Sequence, residues 1–263
     1  FRAMIVVIQI LLVLLLIILI ILFAFRIKRK KETGTLPENY KELFYDYVHF
    51  YRNLSEEEQV KFEERAVQFL ASVKITGVNA EVEPLDIVLI AAAAVIPVFR
   101  IQDWHYINLH EVLYYPGNFN EDFDQAGTDR FIAGMVGTGA LQHMMILTKW
   151  HVRQGFINNS SPHNTAIHEF VHLIDKMDGS FDGVPEIILE RKYTAQWQQL
   201  MHVTITQMKQ FVSDIPMYGA TNTVEFFAVI SEYFFQQPLQ LKANHPQVYE
   251  MLCRIYRTDL SYE

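Results

Sequence analysis

The feature that most limits what this chain can fold into is a long apolar run near its N-terminus. Met4–Phe25 spans 22 residues and contains one polar residue, Gln9. As a helix this run would be roughly 33 Å long, which matches the roughly 30 Å hydrocarbon core of a bilayer. We therefore expect residues 1–25 to form a transmembrane anchor that contacts the lipid bilayer through residues 4–25.

The flanking charges predict the orientation of this anchor. Five of the six residues in Arg26–Lys31 are basic, and only Arg2 lies on the other side of the run. The positive-inside rule places the C-terminal body in the cytoplasm, so we expect a single-pass protein of the inner (cytoplasmic) membrane. A cleaved signal peptide is the alternative, but it needs a shorter apolar region and small residues at a cleavage site. A periplasmic body would require the charge rule to fail.

The charge of the remaining chain excludes several classes of protein. Residues 1–31 hold 6 of the 22 basic residues and no acidic one, so the body keeps 16 basic against 30 acidic residues, a net charge of −14. A body this acidic does not bind nucleic acid by neutralising phosphates. Cys253 is the single cysteine of the chain, which excludes an internal disulfide and a cysteine-based metal cluster.

The body divides into a short tether and one domain. Residues 26–36 are basic and then polar, which is typical of a juxtamembrane tether, and residues 37–263 are long enough for a single domain. Ser55 and Glu58 form a capping-box pattern that begins a helix. Further apolar periodicity predicts helices at 85–98, 164–177, 185–211, 222–236 and 247–256, and strands at 106–115 and 144–147. The pattern favours a helix-rich α+β fold with a small β-sheet.

The informative motif is His168-Glu169-Phe-Val-His172, an H-E-x-x-H sequence. On a helix, residues four apart lie on one face, so both imidazoles can bind one Zn²⁺ ion. Glu169 then lies beside the first ligand, where it can act as the general base on the attacking water. The alternative interpretation is a pair of hydrogen-bonded core histidines.

A catalytic zinc ion requires a third protein ligand. Glu225 is favoured because it lies in an apolar helical segment, where a carboxylate without a cation is costly to bury. Capping is the alternative role, because Asn222 as N-cap would put Glu225 at the third helical position. Glu232 follows seven residues later on the same face, and we assign it to the support of the ligands. Three other acidic residues are weaker candidates for the third ligand: Asp178, Glu186 and Glu190.

Two more residues have predicted roles near the metal. Asp175 follows His172 by three residues and could orient an imidazole N–H, although it could instead be a surface acid at the helix end. Tyr218 precedes Glu225 by seven residues on a turn, from which its phenol could donate a hydrogen bond to an oxyanion. A packing role is the alternative for Tyr218.

Two segments together resemble a known family. The stretches 168–175 and 218–235 are similar to the bacterial Mlc titration factor A family of zinc-dependent peptidases, whose catalytic core is similar to that of anthrax lethal factor. The resemblance covers roughly residues 40–258. It implies a zincin-like metallopeptidase domain of the gluzincin type, with one zinc ion. The implied zinc ligands are His168, His172 and Glu225; the implied general acid/base is Glu169, and the implied transition-state donor is Tyr218.

The resemblance also implies partners and activity. The substrate would be a peptide or protein, and the family's usual member shows aminopeptidase activity. In such folds a strand before the motif helix pairs with the substrate, which here would be the strand around 144–147. The leading hypothesis is a membrane-anchored zinc peptidase. The alternative is a regulatory protein that binds a cytoplasmic transcription factor, such as a Mlc-like repressor, or a membrane partner, with zinc mainly structural.

Overall fold

A computed structural model describes residues 34–126, 129–137, 139–158 and 160–261. The predicted anchor at 1–25 and most of the predicted tether at 26–36 lie outside the described residues. Within the described ranges, no helix is both long enough and apolar enough to span a bilayer.

The described residues form a helix-rich α+β fold with a small sheet, as the sequence pattern predicts. In chain order the elements are α1 Tyr40–Tyr47, α2 His49–Arg52, α3 Glu56–Ser72, β1 Lys74–Gly77, α4 Pro84–Val95, β2 Glu111–Tyr115, β3 Gly134–Val136, β4 Met144–Thr148, α5 Lys149–Ile157, α6 Thr165–Asp175, α7 Thr194–Gln210, α8 Thr223–Gln236, α9 Pro238–Asn244 and α10 Pro246–Tyr256. Short 3-10 turns include Lys176–Asp178 and Met217–Ala220.

The four strands form one mixed sheet in the order β1-β2-β4-β3. Strand β2 runs parallel to both β1 and β4, whereas β3 runs antiparallel to β4. The strand predicted around 144–147 is therefore present as β4, but both of its edges are already hydrogen-bonded. The expectation that this strand pairs with a substrate is wrong for that reason. The edge strands of the sheet are β1 and β3, and β3 is the one that lies beside β4.

Local sequence signals account for the start of several helices. Ser55 Oγ accepts the Glu58 N–H, and the Glu58 carboxylate accepts the Ser55 N–H, so the predicted capping box begins α3. Helix α4 begins with Pro84 at its first turn, where the missing proline N–H costs no hydrogen bond.

Helix α4 lies at the centre of the core. Its residues 88–94 are fully buried and include four consecutive alanines, whose small side chains let neighbouring helices approach closely. It packs against α1, α3, α5 and α6. Because α6 carries the H-E-x-x-H motif, this packing joins the motif helix to the rigid centre of the fold.

Candidate metal centre

Helix α6 holds both motif histidines on one buried face. Asn164 caps the helix, since its Oδ1 accepts the Ile167 N–H at 3.1 Å and its Nδ2 donates to the Gly155 carbonyl at 3.0 Å. Every residue from 166 to 175 is buried. The rings of His168 and His172 lie one turn apart, with their centroids 4.5 Å from each other.

Helix α8 brings Glu225 to these histidines. Asn222 caps α8 by accepting the Glu225 N–H at 2.9 Å, so the capping pattern is present. The side chain of Glu225 nevertheless points at the imidazoles: its Oε2 lies 3.1 Å from His168 Nε2 and 3.4 Å from His172 Nε2. The backbone amide of Glu225 therefore completes the cap, while its carboxylate meets the histidines.

The three donor groups fit a zinc ion. Their ligand atoms all lie within 4.8 Å of one another. Zn–N and Zn–O bonds of about 2.0–2.2 Å in a tetrahedral site separate donor atoms by roughly 3.3 Å, close to the two nitrogen–oxygen distances above. Two imidazoles and one carboxylate leave one of four positions open, which is the donor set of a catalytic rather than a structural zinc site.

Glu232 supports the first histidine from α8. Its Oε1 lies 2.7 Å from His168 Nδ1, and its Oε2 accepts the Asn164 N–H at 2.6 Å. Because the pKa of His168 is raised to about 10, its Nδ1 carries a proton that it donates to Glu232, and its Nε2 faces Glu225. The same carboxylate therefore links the α6 cap and the histidine.

The electrostatics of this cluster favour a cation. Burial alone would lower the pKa of His168, but the carboxylates of Glu232 and Glu225 raise it to about 10. Burial likewise opposes ionisation of Glu225, yet hydrogen bonds from the two imidazoles hold the pKa of its carboxyl far below the usual range. Surroundings that stabilise an imidazolium here also stabilise a divalent metal ion.

Glu169 lies beside the ligands on α6 and is almost completely buried. Its Oε2 has no hydrogen-bond partner among the described residues, and burial raises the pKa of its carboxyl. Strand β3 covers it closely, because a Cβ added to Gly134 would lie 2.8 Å from Glu169 Oε1. A buried, unpaired carboxyl next to two imidazoles suits a group that takes up and returns protons.

Asp175 is fully buried at the C-terminal end of α6, so the alternative of a surface acid is wrong. One oxygen, Oδ2, accepts the Gly183 N–H at 2.9 Å. In the described part of the chain, neither Asp175 Oδ1 nor His172 Nδ1 has a hydrogen-bond partner. The predicted contact between Asp175 and an imidazole is therefore not formed in this structure.

Tyr218 lies at the mouth of the site on the turn before α8. Its ring centroid is 6.0 Å from that of His168, and 59% of the residue is exposed. Burial of the remainder and the nearby Glu225 carboxylate raise the pKa of Tyr218 to about 12. The phenol therefore keeps its proton and can donate a hydrogen bond.

The remaining acidic candidates lie outside the cluster. Asp178 accepts backbone N–H groups of its own loop, including that of Glu186 at 2.9 Å, and Glu190 pairs with Lys192 at 2.8 Å. Gly134 is a neighbour of Glu169 that the sequence did not predict. A glycine in a strand is a signal for close backbone approach, but nothing in the local pattern relates Gly134 to Glu169.

Fold and site together define a class of protein. A helix-rich α+β fold with a small sheet here carries a His-His-Glu cluster that can hold a metal ion, with a buried glutamate beside it, a combination typical of metallopeptidases. The sequence model of the glucose-regulated metallo-peptidase M90 family matches residues 23–257. The chain belongs to this family, and its resemblance to the Mlc titration factor A proteins is confirmed.

Individual relatives agree with this assignment. An uncharacterized protein, slr2042, of Synechocystis sp. is 30% identical over 245 residues, which cover 84% of each chain. Mlc titration factor A of Escherichia fergusonii is 29% identical over 222 residues, covering 79% of this chain and 82% of the relative. Mlc titration factor A of Klebsiella pneumoniae subsp. pneumoniae is 28% identical over the same length.

Proposed function

We propose that this protein is a membrane-anchored, zinc-dependent peptidase. The observation that carries the proposal is the convergence of His168, His172 and Glu225 from two capped helices, with donor spacings that suit a tetrahedral zinc ion. The family describes metallopeptidases, which supports a peptide or protein as the substrate.

Each residue of the site would have a separate role in the reaction. When bound, zinc supplies a Lewis acid that polarises the scissile carbonyl and lowers the pKa of water. Glu169 takes the proton from the attacking water and returns it to the leaving amine, a role that suits its raised pKa. Tyr218 donates its phenolic hydrogen to the oxyanion that forms on the carbonyl.

The surrounding groups would position these residues. Glu232 holds the ring of His168 through Nδ1. Asp175 would hold His172 once the bound metal fixes the imidazole, because both groups have an unpartnered atom among the described residues. Strand β3 would pair with the substrate backbone, since it is the sheet edge next to Glu169.

The anchor would hold this domain at the cytoplasmic face of the inner membrane. The support for this location is the apolar run Met4–Phe25 with its basic flank. An acidic body would be repelled by anionic lipid, whereas the basic flank would be attracted to it. The catalytic domain would therefore stand away from the bilayer surface.

A cysteine introduced near Glu263 and labelled in intact cells with an impermeant reagent tests this orientation, and labelling would contradict it.

The test combines metal analysis with a peptidase assay of the full chain in mild detergent. We expect about one zinc per chain and cleavage of a mixed peptide pool, including peptides with free N-termini that report aminopeptidase action. Glu169→Gln should abolish cleavage and keep the zinc. Absence of zinc, both as purified and after incubation with zinc, would refute the proposal.

A second function has its own support in the names of the relatives. Several are named Mlc titration factor A, and this chain could likewise bind a Mlc-like repressor or another regulatory protein, with zinc mainly structural. Glu169→Gln separates the two functions. A cellular phenotype that survives this substitution supports binding, and a phenotype that is lost with it supports catalysis.

A further inference from the structure

A second feature of the site is a pocket beside the metal centre. It has a volume of about 330 Å³, and its lining includes Val136, Leu173, Lys176 and Phe181. The ring of Phe181 contacts that of His172, with centroids 5.4 Å apart. Val136 is the last residue of β3, the strand that covers Glu169. A peptide bound along β3 would therefore pass this pocket.

The pocket contains a lysine, Lys176, that forms no salt bridge among the described residues. The ammonium of Lys176 lies 4.7 Å from the centroid of the Phe181 ring, in a cation–π contact. Among the described residues no carboxylate lies within 4.0 Å of this ammonium, whereas Lys149 pairs with Glu83 and Lys192 pairs with Glu190. Partial burial lowers the pKa of Lys176, although the more distant carboxylates of Glu169 and Asp175 oppose this shift. An anion that entered the pocket would replace the hydration that burial removes from the Lys176 ammonium.

The loop after α6 gives this pocket a fixed shape. Gly179 has a φ of +95°, a conformation that glycine adopts without strain and that reverses the chain. Asp178 then accepts the Ser180 N–H and the Glu186 N–H, each at 2.9 Å. These hydrogen bonds hold the loop in a conformation in which the Phe181 ring contacts both Lys176 and His172. The cation is thus positioned before any ligand binds.

We propose that this pocket binds an acidic side chain of the substrate and that Lys176 selects it. The proposal rests on the peptidase function proposed above. The body carries a net charge of −14, so its overall field repels acidic peptides. A preference for Asp or Glu in this pocket therefore requires a local cation, and Lys176 supplies one beside Phe181, whose ring contacts that of His172.

The cleavage test uses the full chain loaded with zinc and two matched sets of internally quenched peptides. In one set a single Asp is moved through an otherwise constant sequence, and in the other Asn takes its place. We expect one position at which kcat/KM is about tenfold or more higher for Asp, the size of a charge-assisted hydrogen bond. Cleavage without such a preference at any position would overturn the proposal.

Variants of the lysine sharpen this test. Lys176→Met replaces the ammonium by a side chain of similar length without charge, so it should bring the Asp/Asn ratio of kcat/KM to about one. Lys176→Arg should retain the preference. Lys61→Gln changes an exposed lysine on α3 and serves as the matched control. A ratio that Lys176→Met leaves unchanged would contradict the assignment.

A binding measurement separates this proposal from the peptidase function. The same peptides, labelled with fluorescein, are titrated with the Glu169→Gln chain, and Kd is read by anisotropy. Tighter binding of Asp than of Asn peptides, lost in the double variant with Lys176→Met, supports the pocket even if the wild type cleaves nothing. Equal Kd values for every Asp/Asn pair refute the pocket even if cleavage occurs.

Discussion

Replacing Gly134 by alanine should displace the carboxyl group of Glu169. The new Cβ would lie 2.8 Å from Glu169 Oε1, 2.9 Å from Glu169 Cγ and 2.9 Å from Thr165 Cγ2, whereas ordinary contacts begin at 3.4 Å. Either the carboxylate or strand β3 must therefore move by about 0.6 Å. Catalytic groups tolerate displacements of about 0.5 Å, and a 1 Å misplacement costs about 100-fold in rate.

We therefore expect Gly134→Ala to lower kcat/KM by about 10- to 100-fold, equivalent to about 1.4–2.7 kcal/mol of barrier. Overpacking should also cost about 1–3 kcal/mol of stability. The assay is peptide hydrolysis at matched zinc content, with the unfolding temperature as a check on folding. Gly117→Ala is the control, because its Cβ would meet nothing within 4 Å. Full activity of Gly134→Ala would refute the placement of the general base under β3.

Three further substitutions test the support of the metal ligands by Glu232, the Tyr218 phenol, and Asp214 in the segment just before Tyr218. Glu232→Gln should weaken zinc binding by about 10- to 100-fold, because it removes the charge that orients His168; competition with a chromophoric chelator measures this affinity, and an unchanged value would contradict the role. Tyr218→Phe should lower kcat by about 10- to 100-fold at normal zinc content, as expected for one oxyanion donor, and unchanged kcat would exclude that role. Burial raises the pKa of Asp214, but hydrogen bonds from Tyr233, Asn244 and His245 outweigh it and lower the pKa to about 2. Its ionised form therefore stabilises the fold above about pH 4, and this contribution is lost as the pH falls through about 2. Asp214→Asn should cost about 1–2 kcal/mol in denaturant unfolding at pH 7, allowing for partial exposure, and the difference from wild type should shrink toward pH 2; a constant difference would contradict the assignment.

The sequence predicted the parts of the site that depend on short-range signals. Asn164 and Asn222 begin their helices as N-caps, because capping depends on residues three positions away. The spacing of His168 and His172 follows from helix periodicity alone. The choice of Glu225 needed one further argument, which was the cost of burying a carboxylate in an apolar helix.

Long-range pairing explains what the sequence did not predict. The strand at 144–147 was expected at the substrate edge, but strand order depends on contacts between distant segments, and β3 takes that edge. For Asp175 the sequence left two roles open: a surface acid at the helix end, or a residue that orients an imidazole N–H. Its full burial depends on the returning loop at Gly183, which no local pattern indicates. The position of Phe181 beside His172 has the same origin.

The central claim is that one metal ion binds between α6 and α8, and anomalous diffraction from crystals of the zinc-loaded chain tests it most directly. Data collected on both sides of the zinc absorption edge should give one strong peak. We predict that it lies about 2.0–2.2 Å from His168 Nε2, His172 Nε2 and a Glu225 oxygen, with Glu169 beside the open position. A zinc-loaded crystal with no peak between these three side chains, or with its peak elsewhere in the chain, would contradict the account.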